Sequence, residues 1–196
     1  LKRWHVDGDP PDAILDELAT IFRGGGVVLL PTDTIYGLHA MAADQDAIAR
    51  IRAMKGRDDG KPFLIIASSP DQLAALGATI PEPLRDIWPA PLTAILALNA
   101  KSVAARIPDL GWLRALLGRT GPLVSTSANR SGDVPLTSPE MLSDDLLSGI
   151  DGVLDQGPRE GKPSTIVDFT GPTPRFVREG DKRFSQFLRK RLWKEL

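Results

Sequence analysis

Asp12-Ala-Ile-Leu-Asp-Glu-Leu-Ala-Thr-Ile-Phe-Arg23-Gly-Gly-Gly26-Val27-Val-Leu-Leu30-Pro31 is the stretch whose reading decides the fold class. Ile14, Leu15, Leu18, Ile21 and Phe22 recur at helical spacing, so residues 12–23 are predicted to form an amphipathic helix. Gly24, Gly25 and Gly26 stop it. Val27, Val28, Leu29 and Leu30 then form a short strand, apolar on both faces and ended by Pro31. Helix followed by doubly buried strand is the repeating unit of an α/β protein, and the rest of the chain continues it.

A second helix is expected from the N-cap Asp44 through Ile48, Ile51 and Met54 to Gly56. Phe63 to Ala67 reads as a buried strand, and Ser69-Pro70 starts a short helix carrying Leu73 and Leu76. Strands follow at 93–98 and 102–107, a helix at 110–117, and shorter strands near 123–124, 152–154, 165–167 and 175–177. The last segment, 181–195, is predicted to be a helix with Phe184, Phe187, Leu188 and Leu192 inward and its cations outward. The strands are short, irregularly spaced and separated by Pro-rich turns, which favours a twisted mixed sheet over a regular doubly wound one. No composition break divides the chain, so one domain is expected over 1–196, with its core at about 11–181 and the basic helix appended.

Composition narrows the chemistry. The chain has 196 residues, 42% apolar and 25% charged, with a formal net charge of −1. It holds no cysteine, which removes disulfides, a thiolate nucleophile and cysteine-ligated metals. His5 and His39 are the two histidines, too few for a histidine-based metal site, and His5 sits near an N-terminus expected to be mobile. No apolar run approaches the about 20 residues needed to span a bilayer, and no signal-peptide pattern is present, so a cytoplasmic location is expected.

Four polar clusters carry the candidate chemistry. Pro31-Thr32-Asp33-Thr34-Ile35-Tyr36-Gly37-Leu38 leaves the first strand, and Thr32 and Thr34 alternate, so both can project from one face. An ST-turn serving only the local backbone is the plainer reading of the same residues. Lys55-Gly-Arg57-Asp-Asp-Gly-Lys61-Pro62-Phe63 sets three cations in a loop between helix and strand; Asp58 and Asp59 offset part of that charge, and Lys55 also suits a helix C-terminus with no ligand at all. Ser125-Thr126-Ser127-Ala128-Asn129 follows a short strand, and its small residues let backbone N–H groups approach anionic oxygens. It is not a Walker A loop. Ser164-Thr165-Ile166-Val167-Asp168 enters one strand and Arg178 leaves the next, so Ser164 and Arg178 can face each other across a hairpin.

In this order, with Trp88-Pro-Ala-Pro-Leu-Thr93 and Ala105-Arg-Ile-Pro108 between them, these clusters resemble the YrdC-type threonylcarbamoyl-AMP synthase family, in its short, single-domain branch. The resemblance covers roughly residues 11–181. It implies a twisted sheet curved around a large, electropositive cavity. It also implies that L-threonine, bicarbonate and ATP give threonylcarbamoyl-adenylate and pyrophosphate, for modification of tRNA by a downstream threonylcarbamoyl-transferase. ATP enters as substrate, and Mg²⁺ would be bound through its phosphates.

Carried over by position, Thr34, Arg106, Ser125 and Ser164 are the expected threonine-side residues, Arg106 gripping the carboxylate. Arg57, Lys61, Ser102, Ser127, Asn129 and Arg178 are the expected nucleotide-side residues, and Lys55, Arg57 and Arg106 the expected catalytic ones. Three positions depart from the family pattern. Ile66 stands where some relatives carry a His, Ala90 where a glycine is usual, and Pro135 where some relatives have a nucleotide-contacting serine. Two other readings remain open at this stage: a divergent paralogue that binds nucleotide without the activity, and a module for double-stranded RNA or tRNA. The near-neutral net charge weighs against RNA binding as the sole function.

Overall fold

The computed structural model describes residues 1–56, 63–129, 136–159 and 161–193. The helix that opens the α/β unit, α1 (Asp12–Arg23), buries Leu15, Leu18, Ala19 and Phe22 and ends where Gly25 takes φ +81°. Asp44 caps α2 (Gln45–Lys55) by accepting the Ala47 N–H at 2.9 Å, and Gly56 closes it in the left-handed conformation. Four further α-helices are α3 (Pro70–Ala75), α4 (Glu82–Ile87), α5 (Gly111–Thr120) and α6 (Asp144–Leu147). A last one, α7 (Lys182–Leu192), starts on the Asp181 cap, whose side chain accepts the N–H groups of Arg183 and Phe184.

The strands are β1 (Lys2–His5), β2 (Val28–Pro31), β3 (Tyr36–Met41), β4 (Leu64–Ile66), β5 (Leu92–Leu98), β6 (Lys101–Arg106), β7 (Leu123–Ser127), β8 (Gly152–Asp155), β9 (Thr165–Asp168) and β10 (Arg175–Arg178). They form one mixed sheet in the order β1-β8-β2-β3-β7-β4-β6-β5-β9-β10. Parallel pairs (β1/β8, β2/β8, β4/β6, β5/β9) are mixed with antiparallel ones, as the irregular strand spacing predicts.

Three expectations need correction. The N-terminal segment is not loose: β1 adds to the sheet edge because Trp4 buries its ring and donates its indole N–H to Glu17 at 2.7 Å. Tyr36–Met41 is a central strand rather than part of an exit loop; Gly37 and His39 mask the strand signal in its sequence. On α7, Leu188 is buried but Phe187 is half-exposed, stacked on Phe184 instead of turned into the core.

Sheet register positions the site. Gly37 and His39 of β3 pair with Ser127 and Ser125 of β7, Leu64 of β4 pairs with Ser125, and Ile66 of β4 pairs with both Leu123 and Arg106. All of these side chains therefore share one face. Its lower half, with Leu123, Ile66, Val28 and Leu30, packs under α1 and α5 against Leu18, Phe22, Leu113 and Leu116. No helix among the described residues covers the upper half, where Ser125, Ser127 and Arg106 sit, and that half is a cavity. The opposite face is closed by α2 and α6 through Ile51 and Leu146, and by α3, α4 and α7 through Leu73, Leu84 and Leu188.

Candidate active site

The cavity holds about 370 Å³, within the range of small-molecule sites. The β2–β3 turn forms one wall with Thr32, Thr34 and Ile35; Ser125, Thr126, Ser127, Ala104 and Arg106 form the floor; Thr93, Pro163, Ser164, Ile166 and Arg178 form the far wall.

The turn is both of the things its sequence allowed. Thr32 Oγ1 accepts the N–H groups of Thr34 (3.2 Å) and Ile35 (3.3 Å) and donates to the Ile35 carbonyl (2.8 Å), which is an ST-turn. Its proton being committed there, the 3.0 Å contact between the two threonine hydroxyls is a bond donated by Thr34. That leaves Thr34 Oγ1 to accept Arg106 Nη1 at 3.0 Å. The turn thus aims a hydroxyl at a guanidinium.

Arg106 is 3% exposed. Asp33 Oδ1 lies 3.1 Å from its Nη2, off the hydrogen-bonding direction, while Asp33 Oδ2 accepts the backbone N–H of Asp109 at 3.1 Å. The Nε of Arg106, itself buried, has no hydrogen-bond partner among the described residues. Burial lowers its pKa and the Asp33 charge opposes that shift, but an arginine keeps its proton regardless. A buried, charged fork that borders the cavity is suited to a carboxylate.

Across the cavity Arg178 donates to the Ser164 carbonyl through Nε (3.2 Å) and Nη2 (2.9 Å), with Nη2 also 3.4 Å from Ser164 Oγ. The facing of Ser164 and Arg178 across the β9–β10 hairpin is therefore as the sequence predicts. Desolvation lowers the Arg178 pKa, and the charge of Arg106 lowers it further. Two guanidinium groups that repel one another across a cavity make it a place for anions.

His39 lies beneath this floor, fully buried, with Nε2 3.1 Å from Ser125 Oγ. Burial pushes its pKa down to about 3, the Arg106 charge adds to that, and the carbonyls of Gly37 and Val28 oppose it. The imidazole is neutral at pH 7. Gly37 is required here: a Cβ would sit 2.9 Å from the ring.

Of the expected site residues, Thr34, Arg106, Ser125, Ser127, Ser164 and Arg178 all line the one cavity. Lys55 does not stand on its wall. Lys55 is 4% exposed, and its ammonium donates to the carbonyls of Ser127 (2.6 Å) and Asn129 and so ties the exit of β7 to the end of α2. Asn129 follows that exit, outside the lining. Ser102 is exposed on the same sheet face, two residues outward from Ala104, and also outside the lining. Arg57, Lys61 and Pro135 lie outside the described residues. Ile66 is core and Ala90 has no positive φ, so neither departure disturbs the cavity.

Sequence reading assigned no role to Thr93, Asp33 or His39. Thr93 Oγ1 is 2.8 Å from Ser164 Oγ, a contact between strands far apart in sequence, and only the parallel β5/β9 register brings the two together. Among the described residues no group of three His, Asp or Glu side chains converges as a metal cage. The residues here do not fit a protein-held ion; one carried on a nucleotide's phosphates would need no such cage.

With this geometry in place, comparison with known proteins identifies the relationship. The Sua5/YciO/YrdC family model, described as "Telomere recombination", matches residues 20–180. The chain belongs to that family. It is 34% identical to threonylcarbamoyl-AMP synthase of Bacillus subtilis, over 91% of this chain and 58% of that protein. It is 35% identical to threonylcarbamoyl-AMP synthase of Xanthomonas campestris, over 89% of this chain and 96% of that protein. A crystal structure of Pyrococcus abyssi Sua5 complexed with L-threonine superposes with a TM-score of 0.82 at 30% identity, covering 92% of this chain and 58% of that one. The chain thus spans little more than half the length of some relatives and nearly all of another.

Proposed function

We propose that this protein is a threonylcarbamoyl-AMP synthase, in which the amine of L-threonine takes up bicarbonate to form a carbamate, with loss of water. A carbamate oxygen then attacks the α-phosphorus of ATP, and pyrophosphate leaves. The adenylate serves threonylcarbamoyladenosine formation on tRNA through a downstream transferase. ATP and tRNA as reactants make the cytoplasm the expected location; no helix among the described residues is long and apolar enough to cross a membrane.

The observation that carries this reading is the buried Arg106 fork, held by Thr34 and Asp33 and facing Arg178 across one hydroxyl-lined cavity. The reaction gathers a carboxylate, bicarbonate and a triphosphate, so charge neutralisation and positioning can supply most of the acceleration. Arg106, Thr34 and Ser164 take the threonine side, and Ser127 and Arg178 the nucleotide side. Lys55 holds the β7 exit from behind, and Arg57, Lys61, Ser102 and Asn129 are proposed to close around the nucleotide. A surface for double-stranded RNA or tRNA would have no use for a buried guanidinium, which weighs against RNA binding as the main function.

Pyrophosphate release measured with threonine and bicarbonate each present or omitted tests the reading. Release that needs both supports the synthase; nucleotide binding with no threonine dependence would sink it in favour of a divergent paralogue. In the same assay Arg178→Ala is expected to raise KM for ATP about tenfold, as loss of one charge-assisted contact does, with KM for threonine changed far less.

The loop after β8 makes a second prediction. A Cβ on Gly161 would lie 1.5 Å from the Thr34 carbonyl oxygen, backbone against backbone. Gly161→Ala must therefore push the β2–β3 turn and the loop apart. An ångström of displacement at Thr34 is expected to lower threonine-dependent turnover about 100-fold, while the melting temperature, set by cores elsewhere, changes little. Wild-type turnover in Gly161→Ala would show that the loop yields without moving Thr34.

A further inference from the structure

We infer that His39 is a positioning residue, whose Nε2–H donates to Ser125 Oγ and so turns the Ser125 hydroxyl proton into the cavity, toward a carboxylate-type oxygen of the substrate. The inference rests on the threonine-side reading of the cavity. It assigns work to a buried imidazole that the reaction outlined above does not use.

The strand register holds the pair together, since His39 and Ser125 are directly opposed on β3 and β7 with their side chains on the cavity face. The ring occupies the space left by the missing side chain of Gly37, two residues earlier on the same face. It is shut off from solvent, whereas Ser125 lines the cavity. His39 can therefore reach a ligand only through Ser125.

The direction of the bond follows from the ring's other nitrogen. Nδ1 is buried with no hydrogen-bond partner among the described residues. A neutral imidazole carries one proton, and an orphaned buried N–H is rarer in proteins than an under-used acceptor. The proton is better placed on Nε2, facing Ser125 Oγ at 3.1 Å, because neither the Gly37 nor the Val28 carbonyl beside the ring meets Nδ1 in hydrogen-bonding geometry. Ser125 Oγ then accepts from His39, and its own proton is free to point at the ligand. Accepting one hydrogen bond polarises a hydroxyl and strengthens the bond it donates. A ring held neutral by burial does not shuttle protons, so this is positioning and not base catalysis.

Two measurements test it. With two histidines in the chain, ¹⁵N-histidine NMR of the ligand-free protein needs only to separate buried His39 from exposed His5. The expected His39 signature is the neutral Nε2–H tautomer; the Nδ1–H tautomer or an imidazolium at pH 7 would overturn the inference without any variant having to fold. In steady-state kinetics, His39→Leu is expected to raise KM for threonine about tenfold, the loss of one well-placed hydrogen bond, with KM for ATP unchanged. His39→Gln, whose amide N–H can replace Nε2–H, is expected to recover most of that loss. In a Ser125→Ala background His39→Leu should add nothing, because the histidine acts through the serine. Equal losses for both substrates, or additivity with Ser125→Ala, would mean a purely structural histidine. Absence of threonine-dependent release from the wild-type protein would sink the reading of the site, whereas an Nδ1–H tautomer would sink the His39 inference alone.

Discussion

Arg106→Ala is expected to lower kcat/KM for threonine about 1,000-fold and to destabilise the fold by about 3–5 kcal/mol, because it removes one member of a buried charge pair. The two losses have different origins and can be separated. Asp33, its side chain 7% exposed, would be left with a carboxylate oxygen stripped of its counter-charge, although its other oxygen keeps the Asp109 N–H. Asp33→Asn combined with Arg106→Ala removes that stranded charge. The double variant should regain much of the lost stability in urea titrations and none of the activity. Arg106→Lys keeps a charge but not the fork that spans Thr34, Asp33 and a substrate carboxylate, so it should fold near normally and remain at least about 100-fold impaired. If Arg106→Lys turned over like the wild type, a point charge would suffice and carboxylate clamping by Arg106 would be wrong.

Lys55→Met is the second large effect expected, and it should look unlike the first. The methionine keeps the buried stem but withdraws the ammonium from the Ser127 and Asn129 carbonyls. Leaving those acceptors short of a charged donor costs about 2 kcal/mol. The segment they anchor carries Ser125 and Ser127 on the cavity floor, so kcat/KM should fall about 100-fold for threonine and ATP together. A loss confined to ATP would instead mark Lys55 as a direct phosphate contact. A variant with wild-type stability and kinetics would show that the ammonium does not hold the β7 exit.

The α/β class, the mixed sheet, most of the longer elements and the polar motifs that line the cavity were legible from the chain itself, whereas β1, β3, α4 and α6 were not. Local signals suffice for the former: the glycine stop after Arg23, the Asp44 cap, doubly apolar strands, and short polar motifs at strand ends. The hairpin facing of Ser164 and Arg178 was legible for the same reason, since the two strands are neighbours in sequence.

What remained illegible depends on contacts between distant segments. Nothing near Lys55 in sequence announces that its ammonium ends on two carbonyls of β7 and its exit. His39 reads as an interruption in an apolar run until β3 and β7 align it with Ser125. Thr93 meets Ser164, and Asp33 meets Arg106, across strands whose neighbours are set by the sheet order. The sequence by itself determined which residue types are present for the chemistry, because side-chain chemistry and backbone propensity are local properties. Only the tertiary structure decided which of those side chains face the open half of the sheet and which lie behind it, because strand register and helix coverage arise from packing between segments remote along the chain.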